Sequence, residues 1–243
     1  MNETSLPRDY GRASDQKRPV EIITGYLENN PYSVLIKIGK TKVLCTATGG
    51  LRMPPHLRDS DSGWVTAEYS MLPSASKDRI MRERFKVKGR TREIERLIAR
   101  SLRSVCELKA IPNQSIIVDC DVLEADGGTR TAAITGGFVA LYMLVRDMLK
   151  EKKIYRSPIT DFLAAISVGI VRGAPLLDLN SREDMGAQVD MNLIMTDSGR
   201  IAEAQATGEE ATFTKDQFDE MFNLGQAGVK ELIKEQKKAL GMF

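Results

Sequence analysis

The stretch that most constrains the fold runs over residues 131–150, where apolar side chains occupy nearly every face of a helix. A surface helix needs one apolar stripe. A helix apolar all round has to be covered all round, so it belongs at the centre of the fold with other layers packed against it. Its lysine-rich end suits the negative pole of the helix dipole. Immediately ahead of it stands Asp126-Gly127-Gly128-Thr129-Arg130. A helix start exposes unsatisfied backbone N–H groups and a partial positive charge, and two glycines let the backbone close on whatever sits there. Thr129 adds a hydroxyl donor, and Arg130 a fixed fork of donors suited to phosphate. The same residues also fit a plain turn with a threonine cap.

A chain of 243 residues makes one large domain or two small ones, with a sizeable core in either case. A net charge of +2 excludes a global pull toward nucleic acid or anionic lipid, so any such pull is local. Cys45, Cys106 and Cys120 are odd in number and set among apolar residues, as buried thiols of a reducing compartment would be. The N-terminal residues lack the apolar core of a secretory signal. The longest nearly apolar run, 132–145, is shorter than the ~20 residues of a membrane span. The expectation is a cytoplasmic protein with no membrane partner.

Strand patterns cover residues 20–27, 33–38, 41–48 and 64–69, with the second and third joined as a hairpin at Gly39-Lys40. A helix follows Gly89, with an apolar stripe of Ile94, Leu97, Ile98, Leu102, Val105 and Leu108. Residues 114–123, 163–171 and 176–179 read as strands, and 185–195 alternate with Met185, Ala187, Val189 and Met191 on one side. Residues 200–207 form another strand, and Thr214 with Gln217 makes a capping box for a final helix. This order predicts an α+β fold, residues 1–243 as a single domain around one core, with two related halves at about 1–150 and 151–243.

Histidine chemistry has one candidate, His56, in a Pro-Pro-His loop with no nucleophile elbow to accompany it. Asp184 and Asp190 are the carboxylates of interest. On one straight strand they would stand about 20 Å apart. They share an ion only if the chain turns between them, and Gly186 permits a turn; a solvated strand face is the plainer reading. From Lys77 to Arg103 there are eleven Lys or Arg against four acids, a patch suited to phosphate backbones without base reading. A solvated helix face, with Glu93 and Glu95 paired to Arg96 or Arg100, is the alternative. Arg90 stands apart, at the start of that helix.

Several long motifs carry a resemblance. They are Asp15-Gln16-Lys17-Arg18-Pro19, Thr41-Lys42-Val43-Leu44-Cys45, Gly63-Trp64-Val65-Thr66-Ala67-Glu68-Tyr69, Gly89-Arg90-Thr91-Arg92-Glu93, Ala125-Asp126-Gly127-Gly128-Thr129-Arg130 and Asp190-Met191-Asn192. Together they resemble the ribonuclease PH family, in order and over nearly the whole chain. The resemblance implies a duplicated ribosomal-protein-S5-domain-2-like fold and a phosphorolytic 3′-to-5′ exoribonuclease that trims tRNA precursors. Such an enzyme uses inorganic phosphate and releases nucleoside diphosphates. It further implies phosphate binding by Arg90, Gly128, Thr129 and Arg130, and catalysis by Arg90, Asp184 and Asp190. The two aspartates would hold Mg²⁺ or another divalent ion. RNA contact falls to Arg79, Arg82 and, on the basic helix, Arg96. The implied assembly is a homohexamer, a trimer of dimers. Two departures concern substrate handling: the segment before Gly89 is about two residues shorter than the family pattern, with Ser74 in place of an arginine, and Gln205-Ala206-Thr207-Gly208-Glu209-Glu210 replaces the commoner run. A non-catalytic RNA-binding ring subunit, as in exosomes, is the rival reading; it would be expected to have lost some of these residues.

Overall fold

The computed structural model describes residues 7–54, 57, 61–83, 86–111, 113–209 and 211–243; His56 lies outside them. The first sheet contains β1 (Val20–Thr24), β2 (Ser33–Ile38), β3 (Thr41–Leu51), β4 (Trp64–Met71) and β5 (Ser115–Glu124), in the order β1-β2-β3-β5-β4. Its pairs are antiparallel except β4 with β5, which run parallel. The second sheet, β7-β6-β8-β9, is antiparallel: β6 (Leu163–Val171), β7 (Ala174–Leu177), β8 (Ala187–Thr196) and β9 (Ile201–Gly208). Two sheets served by a few helices give the α+β architecture that the order of elements predicts.

The helices are α1 (Gly89–Ser104), α2 (Thr129–Lys150), the short α3 (Ser181–Met185) and α4 (Lys215–Ala239). α2 touches β2, β3 and β5 of the first sheet and β6 of the second, so both sheets bury against it. Ala132, Ile134, Phe138, Leu141 and Val145 are all solvent-inaccessible or nearly so, which accounts for a helix without a polar face. At 22 residues α2 is longer than its apolar run in the sequence. It is long and apolar enough to cross a membrane, yet 78% of its most apolar window is buried within the protein, the mark of a core helix. α4 begins at the predicted capping box of Thr214 and Gln217 and covers β6, β7 and β8.

Several boundaries depart from the sequence pattern. β1 stops at Thr24 because Gly25 adopts a positive φ of 64°. α1 ends at Ser104, and Leu108 falls in a separate 3₁₀ turn. Residues 181–185 are helical, and Met185, placed on the inner side by alternation, is 78% exposed.

The N-terminal arm is a structural element rather than a loose extension. Arg18, 1% exposed, grips Asp178 with two side-chain bonds of 2.7 and 2.9 Å, and its backbone N–H adds a third at 2.7 Å. Arg8 and Arg12 reach Glu183 at 2.8 and 3.5 Å. These arginines hold both Asp178 and Glu183 below the ordinary carboxylate range, despite the burial that opposes it.

Candidate active site

The Asp126–Arg130 loop owes its shape to its glycines. Gly127 and Gly128 take φ of 77° and 66°, the left-handed region that side chains avoid. Gly127 also packs directly on the start of α3. A Cβ there would lie 2.6 Å from the Leu179 carbonyl oxygen and 2.8 Å from the Ser181 nitrogen. Gly128 is the residue before α2, and no side chain caps the first turn. The threonine-cap reading therefore fails. Thr129 is the first helical residue, and its hydroxyl instead lies 2.9 Å from that of Tyr69. The first amides of α2, with their positive pole, are left for an anion.

The loop is anchored from behind. Arg18 donates to the carbonyls of Asp126 and Gly127, and Thr41 Oγ1 donates to the Gly127 carbonyl at 2.7 Å. Asp126 Oδ1 accepts from the Ser181 backbone at 3.4 Å, while its Oδ2 is buried without a partner. Asp126 thus faces the junction of the loop with α3.

α3 supplies one carboxylate of the site. Asn180 and Glu183 close its first turn as a capping box, and Arg8 and Arg12 hold Glu183 from the other side. Asp184 follows, the chain turns at Gly186, and β8 carries Asp190. Gly186 makes this turn with an ordinary φ of −107°. One helical turn and a bend thus replace the straight strand that would have kept the two aspartates apart.

Arg90, Arg130, Asp184 and Asp190 line one cleft of about 660 Å³, together with Glu93, Met185, Ala187 and Glu209. Four of the residues singled out in the sequence, from both halves of the chain, therefore converge. Gly128 and Thr129 lead directly into Arg130 at the same helix start. Arg90 projects from the first turn of α1, where Glu83 accepts from the Lys88 N–H and the Thr91 hydroxyl and ties the preceding segment down.

The cleft sets two partly desolvated carboxylates beside two arginines. Burial, then the charge of Asp184, pushes the Asp190 carboxyl up to about 6; Arg130 opposes this and Glu209 adds to it. Partial desolvation likewise raises Asp184, against the pull of Arg130 and Arg90. Among the described residues no set of three His, Cys, Asp or Glu is placed to hold a metal ion. Two hard carboxylates, one raised by the charge of the other, fit an ion that keeps water and substrate oxygens in its other positions, as Mg²⁺ does.

The basic candidates divide. Arg82 lines a second cavity of about 720 Å³ that Arg90 also borders. Arg79 and Arg96 are exposed and border neither cleft. Arg100 pairs with Glu203 of β9 at 2.6 Å, and Arg103 stacks on Trp64 and donates to the Val65 carbonyl, so these two serve the fold. The helical pairing expected of Glu93 is absent; it lies 3.7 Å from Arg130 instead. Glu93, Met185 and Glu209 drew notice in the sequence only for helical pairing, strand alternation and a departure from the family pattern, because each reaches the cleft through tertiary packing.

A helix start without a side-chain cap, and two arginines beside two aspartates in one cleft, are the parts that an enzyme of phosphoryl transfer needs. Residues 16–146 match the model for domain 1 of the 3′ exoribonuclease family and residues 161–228 the model for domain 2, and the chain belongs to that family. It is 50% identical over 241 residues to ribonuclease PH of Corynebacterium efficiens, covering 98% of both chains. It is also 50% identical over 237 residues to ribonuclease PH of Bacillus subtilis, covering 96% of this chain and 97% of that one. Among solved structures it superposes on Rrp46 from rice with a TM-score of 0.75 at 19% identity, over 96% of this chain and all of that one. An Archaeoglobus fulgidus exosome structure with RNA bound to the active site gives a TM-score of 0.76 at 20% identity, covering 94% of this chain and 92% of that chain. The α+β fold of two sheets and helices is shared with these solved structures.

Proposed function

We propose that inorganic phosphate seats between Arg90 and the Gly128-Thr129-Arg130 start of α2, with the terminal phosphodiester of an RNA 3′ end across the cleft beside Asp184 and Asp190. The chain is a phosphate-dependent 3′-to-5′ exoribonuclease acting on tRNA. The observation that supports these residue roles is the convergence of Arg90, Arg130, Asp184 and Asp190 in one cleft at the mouth of α2.

In this reading a phosphate oxygen attacks the last phosphorus, the 3′ oxygen of the preceding nucleotide leaves, and the products are a nucleoside diphosphate and an RNA one residue shorter. Phosphate arrives as an anion at neutral pH, so the attack needs no histidine base. Arg90 and Arg130 orient it and offset its charge, and the helix start adds fixed dipoles that need no rearrangement. Asp184 and Asp190 would hold a divalent ion, Mg²⁺ being the expected one, which supplies positive charge for the transferred phosphoryl group. Arg82, beside the adjoining cavity, with Arg79 and Arg96 on the exposed basic surface, would lead the RNA backbone in; the tRNA precursor is the proposed substrate. A homohexamer built as a trimer of dimers is the proposed assembly, to be read from its mass in solution.

Replacing Arg90 by alanine is expected to abolish phosphate-dependent release of nucleoside diphosphates from a tRNA with extra 3′ residues, while circular dichroism and thermal melting stay unchanged. Full activity in that variant, or monophosphates as the product of the wild type, would overturn the assignment.

A further inference from the structure

We propose that Tyr69 is a positioning residue for the attacking phosphate: it donates its phenolic proton to Thr129 Oγ1 and so turns the Thr129 hydroxyl proton toward the anion. This rests on the seat described above and adds to it a group that touches no substrate. Tyr69 lies near the end of β4, 5% exposed, with its hydroxyl 2.9 Å from Thr129 Oγ1.

Geometry alone allows either oxygen to be the donor, and the inventory of partners decides between them. The only hydrogen bond of the Tyr69 hydroxyl within the described residues is the one to Thr129, and the same holds for the Thr129 hydroxyl. If Thr129 donated to Tyr69, the phenolic proton would have no acceptor among the described residues and could turn only toward the adjoining cavity. If Tyr69 donates, the Thr129 proton is left free at the start of α2, where an anion would accept it. Burial raises the phenol above its ordinary pKa, more than the bond to Thr129 and the charges of Arg90 and Arg130 lower it, so Tyr69 keeps its proton. A hydroxyl that accepts one hydrogen bond donates the next more strongly, so the pair acts as a short relay aimed at the phosphate.

The test is steady-state phosphorolysis with Tyr69→Phe, Thr129→Val and the double variant, measuring KM for phosphate, KM for RNA and kcat. Loss of one hydrogen bond from the relay is expected to raise KM for phosphate about three- to tenfold in Tyr69→Phe. KM for RNA and kcat should move far less. In the reverse reaction KM for nucleoside diphosphate should rise in parallel, since its terminal phosphate takes the same seat. The double variant should be no worse than Thr129→Val alone, and Tyr69→Phe should regain its effect in a Thr129→Ser background, which keeps the hydroxyl. A phosphate KM raised by Thr129→Val but not by Tyr69→Phe, or strictly multiplicative effects in the double variant, would overturn the relay and leave the seat standing. No change in phosphate KM from either single variant would overturn the seat itself. Melting curves of Tyr69→Phe separate these outcomes from loss of fold; should that variant unfold, ring-fluorinated tyrosine at position 69, a stronger donor of the same shape, must lower KM for phosphate or the relay is wrong.

Discussion

Asp190 carries a charge at neutral pH that its surroundings oppose, because burial and the neighbouring Asp184 push its carboxyl up to about 6. The sign of the consequence is definite. A carboxyl whose folded pKa lies above its unfolded value lends stability only where it is protonated, and that contribution is lost as pH rises through about 6. Asp190→Asn removes the charge and keeps the shape, so in buffer free of divalent ions it is expected to raise stability at pH 8 by on the order of 2 kcal/mol. The gain should vanish below about pH 4, where the wild-type group is protonated in both states. Thermal melts at the two pH values, beside an activity assay in which the variant is inactive, check this. A variant less stable than the wild type at pH 8 would show that Asp190 is not the strained group. Stability would thus be given up locally for a carboxylate that the chemistry needs.

At the scale of elements, the close seating of the Asp126–Arg130 loop on α3 makes a sharper demand than either element alone. Gly127→Ala would place a methyl group 2.6 Å from the Leu179 carbonyl oxygen in a backbone conformation that alanine resists. A loss of about 2 kcal/mol or more is expected, with a disproportionate fall in activity as the loop moves off the carboxylates. Equal melting temperatures and equal rates for wild type and variant would refute this. Long periodic elements were legible in the sequence: α2, α4 and most strands follow from apolar spacing and caps, and the candidate residues Arg90, Arg130, Asp184 and Asp190 do meet in one cleft. α3 was not legible. Five residues are too few for a helical period to show, and its first turn is fixed by Asn180, Glu183 and the arm's arginines, contacts up to 175 residues apart in sequence. Tyr69 was silent for the same reason, since an aromatic residue in a strand reads as core until the threonine opposite it is known.

Over the whole molecule, the arm formed by Arg8, Arg12 and Arg18 joins the two sheet systems. It bonds to Asp178 and Glu183 of the second and, through Arg18, to the Asp126 and Gly127 carbonyls of the first. Asp178 and Glu183 both have lowered folded pKa values, so their contribution is present above the unfolded values near 4 and is lost as pH falls below them. Acid unfolding is therefore expected to begin below about pH 4. Arg18→Met, which strands Asp178 in the interior, is expected to cost about 3 to 5 kcal/mol at neutral pH and to flatten the acid dependence. Denaturant melts from pH 3 to 7 test both, and an unchanged pH profile in Arg18→Met would exclude the network as its source.

The same junction bears on how the chain comes into being. Synthesis delivers Arg90 and the Gly128-Thr129-Arg130 start of α2 more than fifty residues before Asp184, and Asp190 later still. Until Asp178 and Glu183 emerge, the buried arginines of the arm have no counter-ions, and the loop has no α3 to rest on. A nascent or truncated chain could hold an anion at best. The cleft that gathers Arg90, Arg130, Asp184 and Asp190 is thus complete only when both sheet systems have folded together.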